Sequence, residues 1–150
     1  MMKKILTVIV MVMLVLFALV ACSANEKDKN GNLPWEVAMK GSQDFVKGNK
    51  KALWGLFTSN EKKRINVDPS VNGGGKDEDY RFVEYKNLKK PDIRYYAITH
   101  TIKWGRFTDY LKVIKENNVW KIDQFNMGDQ DFRLATAGMK AQKINTTKGK

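Results

Sequence analysis

The chain of 150 residues is poor in the groups that usually carry chemistry: it has one cysteine, one histidine and three prolines. A lone thiol closes no internal disulfide. A single histidine with no second cysteine leaves carboxylates as the only other strong metal ligands. The acidic cluster Asp77-Glu78-Asp79 lacks the spacing of a calcium loop, so it reads as a solvated turn, and no metal or cofactor is expected. There is no G-x-S-x-G elbow. The run Gly73-Gly74-Gly75 has neither a following Lys-Ser/Thr pair nor a strand-to-helix setting, so it reads as a linker rather than a phosphate cradle. Acid is also scarce, with 16 Asp+Glu against 27 Lys+Arg and a formal charge of +11.

Apolar length is concentrated at the start. Met1-Met2-Lys3-Lys4 is a short basic opening, and Ile5 to Ala21 is an apolar run with Thr7 as its one polar member. This is the layout of a secretory signal. Its length sits at the lower limit for crossing a hydrocarbon core of roughly 30 Å, so length does not distinguish a signal from a retained helix. The tetrapeptide Leu19-Val20-Ala21-Cys22, followed by Ser23-Ala24, does: it resembles the bacterial lipobox. The resemblance implies a diacylglyceryl group on the Cys22 thiol, removal of residues 1–21, and a protein held at the extracytoplasmic face of the cell membrane. Two acyl chains suffice for stable anchoring at roughly 0.8 kcal/mol per buried CH₂.

Losing Lys3 and Lys4 with the signal leaves 25 of the 27 basic residues against the same 16 acids, a mature charge of +9. A basic domain on a lipid anchor is drawn to anionic lipid or cell-wall polymer within a Debye length of roughly 8–10 Å. Nucleic acid is not expected, because export removes the domain from it and the basic residues are scattered. Residues 22–33 are polar and read as a flexible tether, residues 34–141 as one domain, and 142–150 as a polar tail that frays.

Pro34 suits a first helical position, and Trp35, Ala38, Met39, Ser42, Phe45 and Val46 recur at helical spacing until Gly48-Asn49 stops them. A second helix is predicted from Lys50 to about Lys63, with Leu53, Leu56 and Phe57 on one face, and a loop from Asn66 to Asp79. Four strands follow: Tyr80–Lys86, Ile93–Trp104, Phe107–Lys115 and Val119–Phe125. Their short turns make them antiparallel neighbours. Met127 to Met139 reads as a short closing helix. The architecture is α+β, N-terminal helices packed on a curved antiparallel sheet of about four strands. In the long strand Tyr96, Ile98, His100, Ile102 and Trp104 share the face expected to meet the helices.

The helical pattern and the strand Val119-Trp120-Lys121-Ile122-Asp123 resemble the nuclear-transport-factor-two-like, or cystatin-like, superfamily, and within it small bacterial lipoproteins. That resemblance implies a cone-shaped pocket and, in its enzymes, a histidine paired with an acid. His100 is the weak catalytic candidate, with Asp109, Tyr110, Asp123 and Tyr96 as candidate partners. Tyr96, His100, Trp104, Tyr110 and Trp120 are the candidate binding residues. Relatives of this type imply a binding or protein-interaction module, with an unidentified protein partner, accessory to a surface or conjugation system. A carrier of a small apolar ligand and a His-dependent isomerase or dehydratase are the alternatives; the first reading is not enzymatic.

Overall fold

A computed structural model describes residues 26–65, 79–102 and 105–144. The signal run, Cys22, the glycine-rich loop before Asp79 and Trp104 lie outside the described residues. Helices α1 (Pro34–Val46), α2 (Lys50–Leu56) and α3 (Ser59–Arg64) precede strands β1 (Asp79–Lys86), β2 (Ile93–Ile102), β3 (Gly105–Glu116) and β4 (Val119–Gln124). Helix α4 (Asp129–Thr136) and strand β5 (Lys140–Lys143) complete the described fold.

Helix α1 begins and ends where the sequence places it. Pro34 is its first residue, the Glu36 carboxylate accepts from the Leu33 N–H at 2.7 Å, and Gly48 takes the left-handed φ of 71° that ends the helix. Its buried face is turned slightly from the expected stripe. Val37, Ala38, Gly41, Ser42 and Val46 are buried, while Trp35, Met39 and Phe45 pack at the margin. A Cβ at Gly41 would run into Cδ1 of Ile122, so this glycine lets α1 lie close against β4.

The helix expected from Lys50 to Lys63 is two helices. At Phe57 and Thr58 the backbone is extended, and the Thr58 N–H donates to the Ile122 carbonyl at 2.9 Å. Thr58 Oγ1 then accepts from the Glu61 N–H at 3.1 Å and starts α3. The cause is legible in Thr58-Ser59-Asn60-Glu61, the spacing of a helix N-cap signature, which outweighs the continuous apolar periodicity.

The sheet has five strands in the order β4-β3-β2-β1-β5, all antiparallel, and is curved and open. Four form the expected meander. Asn117 and Asn118 take φ of 52° and 57° in the turn between β3 and β4, the conformation a tight hairpin demands. The fifth strand runs into the tail expected to fray from residue 142: Lys140–Lys143 pairs with Lys86–Val83 of β1, and the Ile144 N–H donates to the Phe82 carbonyl at 3.0 Å. Alternation had nothing to read there, since all four β5 residues are exposed.

The helices cover the face carrying Phe82, Tyr96, Ile98, Leu111, Val113, Trp120 and Ile122, which closes a core with Val37, Leu53, Phe57 and Phe125. This is the α+β arrangement of helices on a curved sheet that the sequence predicts. The closing helix is α4, and it lies on the opposite face. There Phe132 meets the rings of Tyr110 at 4.6 Å, Tyr85 at 5.3 Å and Tyr95 at 6.2 Å.

Residues 26–33 also depart from expectation. Instead of a flexible tether they form a folded segment against the turn between β3 and β4. Asp28 accepts from the N–H groups of Asn30 at 2.8 Å, Asn32 at 2.9 Å and Trp120 at 3.1 Å, and the Lys29 N–H donates to the Asn118 carbonyl at 2.9 Å. Burial by itself would raise the Asp28 carboxyl, but the backbone bonds from Asn32, Trp120 and Asn30 outweigh it and hold the group below its ordinary value. The folded unit therefore begins by Glu26 and runs through Ile144.

Candidate functional site

Strand β2 places His100 on the helix-facing side, as its alternation predicts, and β3 brings Asp109 to it. Helix α1 supplies the third group. His100 Nε2 lies 3.1 Å from Asp109 Oδ2 and 2.5 Å from Ser42 Oγ, and the Ser42 hydroxyl donates to the same Asp109 oxygen at 2.5 Å. Of the four partners considered for His100, the acid is Asp109; Ser42 was read only as part of the helix stripe. The three residues are 1%, 2% and 0% exposed, and the His100 ring stacks on Phe107 at 4.8 Å.

Ser42 and Asp109 are not arranged about His100 as the serine and acid of a nucleophile relay. In a relay the carboxylate holds one ring nitrogen so that the other can take the serine proton. Here serine and carboxylate meet the same nitrogen and each other. The triangle satisfies three polar groups inside a core.

Among the described residues an open groove lies away from this triangle, at the end of the sheet where the turns β1–β2 and β3–β4 emerge. A groove of about 730 Å³ is lined there by Glu26, Lys86, Leu88, Arg94, Lys115 and Trp120, among others. Arg94 is 6% exposed. Its Nη1 donates to the carbonyls of Pro91 and Ile93, its Nη2 stands 3.7 Å from Glu26 Oε1, and its guanidinium lies 6.0 Å from the Trp120 ring. Arg94 Nε, 3.8 Å from Glu84 Oε1, has no hydrogen-bond partner. Lys86 Nζ bridges Glu26 at 3.1 Å and Glu84 at 3.2 Å. Burial lowers this ammonium's proton affinity, and the carboxylates of Glu26 and Glu84 more than restore it. The Tyr96 hydroxyl donates to Glu84 at 2.7 Å; burial first, and the Glu84 charge second, push its pKa well above the ordinary value, so it is a fixed neutral donor.

The five candidate binding residues therefore separate. Tyr96 and His100 are in the core. Trp120 lines the groove, with its indole N–H donating to the Glu26 carbonyl at 2.6 Å. Tyr110 does not face the helices at all: the register pairs it with Ala97, on the face opposite Tyr96, and α4 covers it. Burial and a hydrogen bond to Asp129 raise its pKa. Trp104 lies outside the described residues, as does Cys22. Sequence reasoning missed Glu84 and Arg94, although the period of two that selected Tyr96 also carries Arg94 to its face. Among the described residues no group of three or more His, Cys, Asp or Glu could hold a metal ion. No helix among them is long and apolar enough to cross a membrane.

No protein-family model, no curated protein and no solved structure matches this chain.

Proposed function

We propose that the protein is a lipid-anchored, extracytoplasmic binding module, fixed to the cell membrane through a diacylglyceryl group on Cys22 and acting as an accessory to a surface system. The lipobox sequence supports the anchor, and the turn-end groove supports binding. That groove is the observation that carries the reading: it combines an open cavity, the indole of Trp120 in its lining and a buried guanidinium whose Nε has no hydrogen-bond partner.

The buried Ser42–His100–Asp109 triangle gives no support to acid–base catalysis, because its histidine is only 1% exposed. A carrier is disfavoured in the same way. The helix-facing side of the sheet is filled by Phe57, Tyr96, Ile98, Leu111 and Ile122, all at most 1% exposed.

Replacement Cys22→Ala tests the anchor. It should abolish incorporation of labelled fatty acid and move the protein out of the membrane fraction, with the circular dichroism of the folded domain unchanged. A variant that stays in the membrane fraction would refute the lipid anchor. For the groove, a photo-crosslinking residue at Asn118, on its exposed rim, should give an adduct in intact cells that the same residue placed at Gln142 on β5 does not. Equal yields from the two positions would count against a binding function there.

A further inference from the structure

The docked N-terminal segment fixes where an anchor must lie. Glu26 lines the groove, and only four residue steps separate it from Cys22. Fully extended, those steps reach about 14 Å. On the lipid-anchor reading, on which this inference rests, the turn end of the sheet is therefore the part of the domain held nearest the membrane.

That end has the matching chemistry. Leu88, at the tip of the β1–β2 turn, is 89% exposed, against 71% for Leu134 and 39% for Trp54. It stands in the sequence Lys86-Asn87-Leu88-Lys89-Lys90-Pro91, and Lys89 and Lys90 are exposed. Lys27 and Lys29 are exposed on the N-terminal segment, whose backbone is bonded to the neighbouring β3–β4 turn. Leu88 and Asn118 line the same groove, so the two turns present one surface. Most acids of this end are withdrawn from its surface: Asp28 and Glu84 are buried, Glu26 pairs with Lys86, and Glu116 at the end of β3 is half-buried. Asp92 is the exposed exception.

We infer that this turn end docks on an anionic phospholipid surface, with Leu88 entering the headgroup region and Lys27, Lys29, Lys89 and Lys90 facing lipid phosphates. An apolar tip ringed by lysines fits a layer in which negative charge overlies hydrocarbon. An acidic protein would supply the charge without the hydrocarbon. Anchor and tip act together: the first supplies attachment, the second holds one orientation, with the sheet's far end directed away from the bilayer.

The test uses the lipidated full-length protein. Cys22 is consumed by lipid, so the replacement Leu88→Cys gives a single labelling site for an environment-sensitive fluorophore. Leu134→Cys on α4 serves as the reference. Both are measured on vesicles of phosphatidylcholine with and without phosphatidylglycerol, containing spin-labelled lipid as quencher. The expected result is quenching at 88 but not at 134, only on the anionic vesicles. High salt should weaken it, and Lys89→Glu with Lys90→Glu should reduce it about tenfold. Equal quenching at both positions on protein that floats with the vesicles would overturn the docking and leave the anchor standing. Quenching at 88 that is as strong on neutral vesicles would overturn recognition of anionic headgroups. Protein that fails to float with neutral vesicles would overturn the anchor, and the docking with it.

Discussion

Three groups that each lose water on burial satisfy one another where Ser42 donates to Asp109 and His100 Nε2 meets both. Asp109 meets both of the others, so its removal takes one partner from each at once and leaves them their contact with each other. Asp109→Ala should destabilise the fold by about 3 kcal/mol, and Ser42→Ala, which leaves the direct contact between histidine and acid, by about 1 kcal/mol. Urea unfolding measures both; equal losses would mean that Asp109 is not the hub. Arg94 presents the opposite case. Its Nε is left without a hydrogen bond beside a groove, and the cost of that atom is carried by the rest of the guanidinium, which holds two backbone carbonyls.

At the scale of elements, caps and close approaches decide the geometry. Thr58 caps α3 and also donates to Asp123 at 3.2 Å. Thr58→Ala should cost about 1–2 kcal/mol in thermal or urea unfolding, and Thr58→Ser distinctly less, because the hydroxyl is retained. Helix α4 rests on the outer face through Phe132 and its three tyrosines. Phe132→Ala should remove about 3 kcal/mol of that packing. Amide exchange should then rise in α4 and β5, while β2 and β3 keep their protection; uniform loss would mean that α4 is integral to the core.

How far these elements were legible follows from what each segment advertises. Apolar periodicity marked α1, and alternation marked the helix-facing side of β2 down to His100. The break at Phe57–Thr58 was present as a cap signature, but an apolar stripe that continues across it is the stronger local signal. Strand β5 has no buried side chain, and its identity comes from backbone pairing with β1, which composition does not encode. The pairing of His100 with Asp109 needed the register between β2 and β3. Placing Tyr110 required knowing that a helix would cover the second face. The Arg94–Glu84–Lys86 network escaped because charged residues in strands are read as facing solvent.

For the whole molecule, the docking of residues 26–33 is acid-sensitive. Asp28 titrates below its ordinary value when folded, so the stability it adds is present above the pH at which the free carboxyl titrates. It is lost as pH falls through the lower folded value. Acidification should therefore release the N-terminal segment first. The protease sensitivity of residues 26–33, followed against pH, should rise on the acid side and should already be high at neutral pH in Asp28→Asn. A pH-independent cleavage rate in the unmodified protein would show that the carboxylate does not hold the segment.

Open sheets expose two rows of backbone groups to neighbours, and here both rows are blunted. Phe57 and Thr58 lie along β4 at Ile122, while β5 is four residues long and bounded by Lys140 and Lys143. Proteins gathered on a surface meet one another far more often than the same number free in solution. A long, uncharged margin would invite strand-by-strand polymerisation there. On the lipid-anchor reading proposed above, a short border of lysines would make each copy repel the next, so that the molecule could be crowded laterally and still remain a set of separate units.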